Sequence, residues 1–500
     1  MKTTFTYKKN PATLLCDFYK ISHRKQYPLK TEVVYSTWTP RKSLKEGIDS
    51  VVAFGAQLFV KKWLMAYFDE NFFNRQKKEI VEEYTRIIKY ALGDPEPDTT
   101  HIEALHELGY LPIRIRAVKE GTIIPIRVPM LTIENTDSRF FWLPNYLETM
   151  MSAELWMPTT AATIAFQYRK IFEKYAEKTS TDKEAIKFQG HDFHMRGAVG
   201  IEASPLAGMG HLLSFAGTDT IPAIWAMEQF YNADVTKEMV GASIPATEHS
   251  VQCANADDNQ DELETFKRFA TEVYPTGIFS IVSDTYDFWD NIGRVLPELK
   301  DIIMSRDGKV VIRPDSGIPE DILCGDSNAD NELARKGLIQ CLWEIFGGTV
   351  NEKGYKVLDP HIGAIYGDAI TTVRAETICA RLEEKGFAST NVVLGIGSFT
   401  YQFNTRDTFG FAMKATDVFV DGQEKAIFKD PKTDSGTKKS QKGRVIVRHS
   451  PTGLEFVDGL NKLQQEALDY QDLLEDVFVD GKLVRDESLK DIRERLTFQI

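Results

Sequence analysis

The segment KVVIRPDSG (residues 309–317) joins an apolar run typical of a buried strand to a polar cluster that contains Arg313 and Asp315. A stretch with apolar residues at helical spacing, ELARKGLIQCLWEIF (332–346), follows it. The same arrangement recurs in IKFQGHDF (186–193), GIFSIVSD (277–284), HIGAIYGD (361–368) and NVVLGIGS (391–398). Strand-like and helical segments that alternate in this way predict parallel βα units. Ligands bind at the carboxyl ends of such strands, so we expect these polar clusters to share one site.

The regions outside these units have different patterns. Residues 110–135 alternate apolar and polar side chains, with turns at Glu120-Gly121 and at prolines, which predicts antiparallel strands. Residues 51–92 and 139–178 have apolar residues at helical spacing, and we expect the second stretch to break near Pro158. A chain of 500 residues favours two domains.

Composition and charge limit the classes of partner. Lys and Arg number 60 while Asp and Glu number 73, so the formal net charge is −13. A general nucleic-acid binder or a binder of anionic membranes is expected to be basic, so both classes are disfavoured. No apolar run approaches the ~20 residues that span a bilayer, and the first residues are not typical of a signal peptide. We therefore expect a cytoplasmic protein. If its ligand is an anion, we expect the cations that bind it to be concentrated in one pocket.

Three kinds of side chain accompany the strand-like runs and the C-terminal third. Cations suited to a polyphosphate are Arg196, Arg313, Arg406, Lys414, Lys429 and Lys438, unless each is a solvated surface charge. Carboxylates that can orient sugar hydroxyls, hold Mg²⁺ through substrate or fix an imidazole are Asp219, Asp284, Asp315 and Asp368, with helix caps and turns as the alternative. His249, flanked by Glu248, is either a nucleophile or base, or a structural histidine. These residues predict an α/β-barrel-like enzyme that acts on a phosphorylated sugar.

Two further motifs carry weaker signals. GIGSFT (395–400) begins like a dinucleotide fingerprint but has Thr400 in place of the third glycine, so it indicates only a tight turn that faces phosphate. His191 and His194 have no further Cys or His at the spacing of zinc ligands. We interpret both histidines as hydrogen-bonded structural groups.

Taken together, these clusters and other motifs in the same order resemble the nicotinamide phosphoribosyltransferase family along almost the whole chain. The motifs are DFYK (17–20), HDFHMRG (191–197), GTDT (217–220), SIPATEHS (243–250), SIVSDTYD (280–287), RPDSG (313–317), Gly367-Asp368, TRD (405–407), FKDP (428–431) and the lysine-rich loop that follows. The resemblance implies a type II phosphoribosyltransferase fold of the α/β class. Residues 166–399 would form an irregular α/β barrel, and residues 1–165 with 400–500 an α+β domain.

The family transfers phosphoribosyl from phosphoribosyl pyrophosphate to nicotinamide, uses Mg²⁺ and couples ATP hydrolysis through a phosphohistidine. The resemblance implies that His249 is that histidine, that Asp284 orients its ring and that Glu248 belongs to the same catalytic group. For nicotinamide it implies Asp17, Tyr19, Phe193, Arg196, Asp219 and Arg313, with Tyr19 supplied by the partner subunit. Since Asp17, Tyr19 and Lys429 belong to regions expected across a subunit boundary, the resemblance implies an obligate homodimer with composite sites. For phosphoribosyl, phosphate and ATP it implies Arg41, Asp315, Gly367, Asp368, Gly397, Ser398, Arg406, Lys414, Lys429 and Lys438. No metal ligand is assigned, because Mg²⁺ is expected to bind mainly through substrate phosphates.

Asp219 separates two activities that the same fold supports. A carboxylate at this position favours the amide of nicotinamide and repels the carboxylate of nicotinate. Nicotinate phosphoribosyltransferase activity is therefore the nearest alternative, and a non-catalytic binding or signalling protein is the next. The sequence departs from the family pattern at Ser398-Phe399, where further glycines are frequent. The lysine-rich loop needs a one-residue insertion, so either Lys438 or Lys439 is the phosphate contact.

Overall fold

The computed structural model describes residues 8–367, 369–433, 439–451 and 453–499. Two predicted site residues, Asp368 and Lys438, lie outside the described residues. The chain divides into two compact units. The first unit comprises Met1–Thr163, Ala226–Ala233 and Asn404–Gln499, and the second comprises Ile164–Trp225 and Asp234–Phe403. In the described part of the chain, no helix is both long and apolar enough to cross a membrane.

The strands occur in every part of the chain. They are β1 (Thr31–Thr39), β2 (Ser50–Val52), β3 (Ile113–Ala117), β4 (Ile123–Pro125), β5 (Leu131–Asn135), β6 (Gly190–Asp192), β7 (Gly217–Thr218), β8 (Phe279–Val282), β9 (Val310–Arg313), β10 (Gly348–Val350), β11 (Lys356–Leu358), β12 (Ile362–Tyr366), β13 (Val392–Ile396), β14 (Ala412–Val420), β15 (Gln423–Ala426), β16 (Arg444–Ser450), β17 (Gly453–Leu460), β18 (Glu475–Val479) and β19 (Lys482–Leu483).

The helices range from single turns to one of 32 residues. They are α1 (Phe18–Gln26), α2 (Ala56–Phe59), α3 (Lys77–Ile87), α4 (Thr100–Leu108), α5 (Leu143–Tyr146), α6 (Glu148–Thr179), α7 (Ile186–Gln189), α8 (Ser204–Leu212), α9 (Ile221–Phe230), α10 (His249–Asn255), α11 (Leu263–Arg268), α12 (Phe288–Asp290), α13 (Leu296–Glu298), α14 (Lys300–Met304), α15 (Pro319–Cys324), α16 (Glu332–Lys336), α17 (Leu338–Phe346), α18 (Thr372–Glu384), α19 (Ser398–Tyr401), α20 (Lys462–Ala467) and α21 (Leu489–Thr497). Short π-helical turns extend several of them, as at Val60–Tyr67 and Asp69–Phe73.

A parallel sheet of six strands organises the second unit. Its order is β7-β6-β13-β12-β9-β8, and all five neighbouring pairs are parallel. The strands that the sequence predicts at IKFQGHDF, GIFSIVSD, KVVIRPDSG, HIGAIYGD and NVVLGIGS are β6, β8, β9, β12 and β13. In the first of these segments only Gly190–Asp192 form the strand, and the predicted strand residues Ile186–Gln189 form helix α7 instead. The predicted α/β fold with parallel βα units is confirmed. Because the strands are parallel, the polar residues that follow them emerge at the same edge of the sheet.

The segment between α9 and α10 links the two edge strands of this sheet. Ala242 forms a parallel bridge to Gly217 of β7, and Ala246 forms a parallel bridge to Ser280 of β8. The backbone N–H of Thr247 also donates to the carbonyl oxygen of Ser280, 3.1 Å away. Residues 242–247 therefore close the open sheet into an irregular barrel, and they carry most of the SIPATEHS motif.

An antiparallel sheet of seven strands organises the first unit. Its order is β15-β14-β1-β5-β3-β18-β19, so three strands from the N-terminal part of the chain form the middle and strands from the C-terminal part flank them on both sides. The antiparallel strands predicted for residues 110–135 are β3, β4 and β5. The hydrophobic core of this unit includes Trp38, which stacks on Phe411 with ring centroids 5.7 Å apart.

Two further local predictions are wrong. Residues Ser50–Val52 form β2, which pairs with β4, rather than the start of a helix. Helix α6 also continues through Pro158 without a break. The Pro158 ring packs so closely against Gly55 that a Cβ on that glycine would lie 2.7 Å from Pro158 Cγ. Packing of the ring against a residue without a side chain offsets the loss of one helical hydrogen bond.

The core of the first unit contains a buried carboxyl group, that of Glu120. Its Oε1 accepts a hydrogen bond from the backbone N–H of Gln57 at 2.7 Å, and its own N–H donates to Oε2 of Glu487 at 3.1 Å. Burial, reinforced by the nearby charge of Glu487, raises the pKa of Glu120 to about 7. The folded protein therefore keeps this group protonated at pH values where the unfolded chain ionises it.

We expect the Glu120→Gln variant to lose less stability than the wild type as the pH rises. The pKa of Glu120 is higher in the folded state, so its contribution to stability is full below the unfolded value of 4.5 and declines until about pH 7. At 1.36 kcal/mol per pKa unit the decline amounts to roughly 3 kcal/mol, and an amide does not undergo it. Urea unfolding of both proteins at pH 5 and pH 8 measures the difference. Parallel pH profiles for the two proteins would refute the assignment.

Candidate active site

A cavity of about 580 Å³ lies at the carboxyl ends of the parallel strands in the second unit. Its lining consists of Phe193, Arg196, Asp219, Arg313, Asp315, Gly367, Ala369, Ile370, Gly397, Ser398, Phe399 and Thr400. These residues follow or end β6, β7, β9, β12 and β13. The lining includes each described residue of the second unit that the sequence predicts for substrate binding.

Asp219 follows β7 and is held in place by two neighbouring elements. Its backbone N–H donates to the carbonyl oxygen of Asp192 in β6 at 2.9 Å. Its Oδ1 accepts from His191 Nε2 at 2.8 Å and from Ser243 Oγ at 2.5 Å. Burial raises the pKa of Asp219, but the hydrogen bonds from His191 and Ser243 outweigh burial and leave the pKa below its ordinary value. The cavity therefore has a fixed, ionised carboxylate at this end.

Phe193 presents an aromatic ring to the cavity and packs on two neighbouring strands. Its ring lies 4.5 Å from that of His191, at an interplanar angle of 40°. A Cβ on Gly395 of β13 would lie 2.6 Å from Phe193 Cδ2 and 2.9 Å from the Cα of Gly367. Glycine at position 395 thus makes room for the ring and for the neighbouring backbone.

We expect the Gly395→Ala variant to lose most of its activity, because the added methyl displaces both Phe193 and the turn at Gly367. Overpacking of this kind also costs about 1–3 kcal/mol of stability. Steady-state kinetics and thermal unfolding measure the two effects. Gly363→Ala, on β12, is the matched control, because its Cβ would meet mainly the flexible Lys309 side chain, at 3.2 Å. Equal kinetics for the two variants would contradict the role given to Gly395.

Arg313 ends β9 and is tied to the segment that closes the barrel. Its Nη2 donates to the carbonyl oxygen of Thr247 at 2.8 Å, and its Nε lies 3.4 Å from Asp315 Oδ2. A Cβ on Gly367 would lie 2.6 Å from Asp315 Oδ1, so the next strand also approaches this pair closely. The guanidinium and the carboxylate are therefore fixed side by side at the cavity wall.

His249 begins α10, and its imidazole is half exposed. Its Nδ1 lies 3.0 Å from Thr285 Oγ1, and its Nε2 lies 4.0 Å from Asp284 Oδ1 and from Asp315 Oδ2. Asp284 is almost fully buried, and its Oδ2 accepts from Asp315 N and Ser316 Oγ at 2.9 and 2.5 Å. Its buried Oδ1 accepts no hydrogen bond from the described residues. Catalytic hydrogen bonds are often long without substrate, so this oxygen is placed to receive the imidazole N–H.

Glu248 precedes His249, but its exposed carboxylate accepts a hydrogen bond from Ser250 Oγ. No hydrogen bond or ion pair joins it to His249 within the described residues. Its predicted catalytic role stays a prediction.

The remaining predicted residues belong to the first unit. Asp17 accepts a hydrogen bond from Thr149 Oγ1 at 2.8 Å, and Tyr19 is 57% exposed. Burial lowers the pKa of Lys414; Glu148 opposes this, and the charges of Arg41 and Lys429 lower the pKa further. Arg41, Lys414 and Lys429 thus share one region.

Two predicted phosphate contacts have acidic neighbours. The side chain of Arg406 lies 3.8 Å from the adjacent Asp407 and is half exposed. Of the two lysines proposed as alternatives, Lys439 lies within the described residues, 3.7 Å from Asp430.

Sequence reasoning missed three contributors to the site. His191 and Ser243 hold Asp219, and Thr247 holds Arg313. The sequence did contain a signal for His191, because this residue lies in the motif at the end of a predicted strand, immediately before Asp192 and Phe193. Its interpretation as a hydrogen-bonded group is correct, but its partner was not predictable without the pairing of β6 with β7.

Comparisons with known proteins identify the class. The sequence profile of the nicotinate phosphoribosyltransferase family matches residues 188–482, and that of the nicotinamide phosphoribosyltransferase N-terminal domain matches residues 12–94. A nicotinate-nucleotide pyrophosphorylase from Pyrococcus furiosus has the same fold, with a TM-score of 0.58 at 16% identity over 100% of this chain and 98% of that one. The human nicotinic acid phosphoribosyltransferase superposes with a TM-score of 0.56 at 15% identity, over 97% and 93% of the two chains.

The fold and the cavity define a pentosyltransferase of the type II phosphoribosyltransferase class. The nicotinamide phosphoribosyltransferase of Acinetobacter baylyi is 48% identical over 99% of this chain and 98% of its own. That of Mycoplasma pneumoniae is 35% identical over 86% and 94%. The chain belongs to the nicotinamide phosphoribosyltransferase family.

Proposed function

We propose that the protein transfers phosphoribosyl from phosphoribosyl pyrophosphate to nicotinamide, forming nicotinamide mononucleotide and pyrophosphate for NAD biosynthesis. In this reaction the bond from C1′ to the pyrophosphate oxygen breaks, and its electron pair leaves with pyrophosphate. The lone pair of the pyridine nitrogen forms the new bond to C1′. The observation that carries the proposal is the fixed carboxylate of Asp219 in a cavity that also presents Phe193, Arg196 and Arg313.

The aromatic and acidic residues of the cavity account for binding of the base. The ring of Phe193 offers a flat face to an electron-poor pyridine, which becomes a pyridinium in the product. Asp219 accepts a hydrogen bond from the carboxamide N–H, whereas it repels the carboxylate of nicotinate. In the proposed homodimer, Tyr19 of the partner subunit covers the second face of the ring, and Asp17 supports the same end of the pocket.

Arginines and strand-end backbone account for binding of the phosphoribosyl group. Arg196 and Arg313 supply guanidinium groups for phosphate, Asp315 orients ribose hydroxyls, and Gly367 and Gly397 let backbone approach the anion. Asp368, Lys438 and Ser398 are proposed for the same ligand. The further cations proposed for phosphate and ATP are Arg41, Arg406, Lys414 and Lys429.

The described residues also fit the proposed use of Mg²⁺. No group of three or more His, Cys, Asp or Glu side chains within these residues could hold a metal ion by itself. Mg²⁺ typically binds through one or two carboxylates together with substrate phosphates, and Asp315 lies at the cavity wall where those phosphates would bind. When bound, Mg²⁺ neutralises the charge that develops on the leaving pyrophosphate.

ATP hydrolysis is proposed to drive the reaction through His249. Asp284 accepts the Nε2–H, which leaves Nδ1 as the nucleophile that takes the γ-phosphoryl group while ADP departs. Water later removes the phosphoryl group as phosphate. Support comes from the buried Asp284 Oδ1 at 4.0 Å and from the exposure of the ring, which lets a nucleotide reach it.

A single experiment tests the proposed function. The protein is incubated with phosphoribosyl pyrophosphate, Mg²⁺ and either nicotinamide or nicotinate, with and without ATP, and the mononucleotide is identified by mass. We expect nicotinamide mononucleotide, with faster formation when ATP is present. Preferred formation of nicotinate mononucleotide would make the protein a nicotinate phosphoribosyltransferase, and no product would favour a binding or signalling role. Sedimentation equilibrium tests the proposed homodimer, and cell fractionation the proposed cytoplasmic location.

A further inference from the structure

We infer that His191 and Ser243 are positioning residues that determine base specificity, because together they fix the one carboxylate that distinguishes an amide from an acid. The inference rests on the proposed function and adds two residues to it. Both donors reach the same oxygen, Oδ1 of Asp219, at 2.8 Å from His191 Nε2 and 2.5 Å from Ser243 Oγ. Since an ionised carboxylate only accepts hydrogen bonds, the proton lies on His191 Nε2. Oδ2 is thereby left for the ligand.

Three adjacent backbone segments bring these residues together. His191 of β6 is the register partner of Gly217 in β7, and Ala242 bridges to the same Gly217 from the other side. Asp219 and Ser243 each come shortly after these paired positions. The relative placement of the donors and the acceptor is therefore set by three parallel backbone segments rather than by a flexible loop.

The ring of His191 packs closely against the neighbouring strand β7. A Cβ on Gly217 would lie 2.8 Å from His191 Nδ1, so glycine at this position is required by the ring. On its other side the ring packs against Phe193, with centroids 4.5 Å apart. The imidazole is buried and has little freedom to rotate, so its Nε2–H points to Asp219 before any ligand binds.

The charges around Asp219 explain why the donors affect specificity. His191 and Asp192 face it from β6, and Arg196 and Arg313 line the same cavity. A carboxylate that is held ionised repels nicotinate, whereas a protonated one can donate a hydrogen bond to it. Loss of a donor raises the pKa of Asp219, so the protonated form that tolerates nicotinate is present at higher pH.

The test compares two substitutions that separate the ring of His191 from its proton. His191→Phe keeps an aromatic ring but has no donor, and His191→Gln keeps a donor but has no ring. For each variant, kcat and KM are measured with nicotinamide and with nicotinate between pH 6 and pH 8.5. We expect His191→Phe to lower the ratio of the two kcat/KM values at least tenfold, and His191→Gln to lower it less.

His361→Phe is the matched control. His361 also pairs with an aspartate through a ring nitrogen, with Nδ1 2.6 Å from Asp359 Oδ1, and it precedes β12 at the opposite end of the sheet from the cavity. General destabilisation lowers both kcat/KM values together and leaves their ratio unchanged, so the ratio isolates the positioning effect. An unchanged ratio in His191→Phe would overturn the inference.

Ser243→Ala keeps the inference testable if His191→Phe does not fold. This substitution removes the second donor from an exposed position. We expect the ratio of the two kcat/KM values to fall, but by a smaller factor than in His191→Phe. An unchanged ratio there would also count against the inference. Calorimetric titration measures the affinities for nicotinamide and for nicotinate, so the ratio of these affinities tests the base preference without catalysis. A wild type that forms no mononucleotide refutes the proposed function, whereas variants that keep the wild-type ratio refute only the inference.

Discussion

The Asp219→Ser variant is expected to accept nicotinate almost as well as nicotinamide. The substitution removes a charge that repels the acid and an acceptor for the amide N–H. Hydrogen bonds to charged groups contribute about 1.5–3 kcal/mol each, so the preference for nicotinamide should fall roughly ten- to hundredfold. Competition between the two bases for phosphoribosyl pyrophosphate, with both products quantified, measures the ratio directly.

Asp219→Asn separates charge from shape in this prediction. The amide occupies the same volume as the carboxylate and still accepts from His191 or Ser243 through its carbonyl oxygen. We expect it to lose the repulsion of nicotinate while it retains part of the nicotinamide affinity. A wild-type preference in both variants would show that another group selects the base.

The second large effect is expected at His249. The His249→Ala variant should keep slow synthesis of the mononucleotide, because the cavity lining is intact, but lose all acceleration by ATP. Incubation with γ-labelled ATP should leave an acid-labile, base-stable label on the wild type and none on the variant. Asp284→Asn should reduce the rate of labelling, because an amide cannot stabilise the charged imidazole that forms during transfer.

The control for this prediction is His361→Ala, which removes another histidine that pairs with an aspartate in the second unit. It should be labelled at the wild-type rate. Label on His249→Ala would place the phosphoryl group on another residue, and ATP acceleration that survives in this variant would remove His249 from the coupling.

Much of the fold was predictable from local patterns. Strands β8, β9, β12 and β13 are each a short apolar run followed by polar residues, so their identities and carboxyl ends could be read directly. In IKFQGHDF the apolar part forms helix α7, and β6 is only Gly190–Asp192. Strand β7 has only two residues and carries no such pattern. The errors at Pro158 and at Ser50–Val52 arise from contacts with distant residues, Gly55 and β4, that override local preference.

The site was predictable where a residue's own strand positions it. Phe193, Asp219, Arg313 and Gly367 each follow or end a strand, and the parallel order brings them to one cavity. Contacts between neighbouring strands were not predictable, because they depend on register. Residues 242–247 pair only at the single positions Ala242 and Ala246 rather than along a strand, so they carry no strand-like alternation that could have revealed their place in the barrel.

The order of strands in the first unit has a consequence for synthesis on the ribosome. Strands β1, β5 and β3 emerge early and form the middle of the seven-stranded sheet, but their outer neighbours β14 and β18 begin only at Ala412 and Glu475. Throughout translation of the intervening barrel, the outer edges of β1 and β3 have no strand to pair with. Exposed edges of this kind recruit other chains. The nascent protein is therefore most prone to aggregate before its C-terminal segment is made, and it should depend on chaperones during that interval.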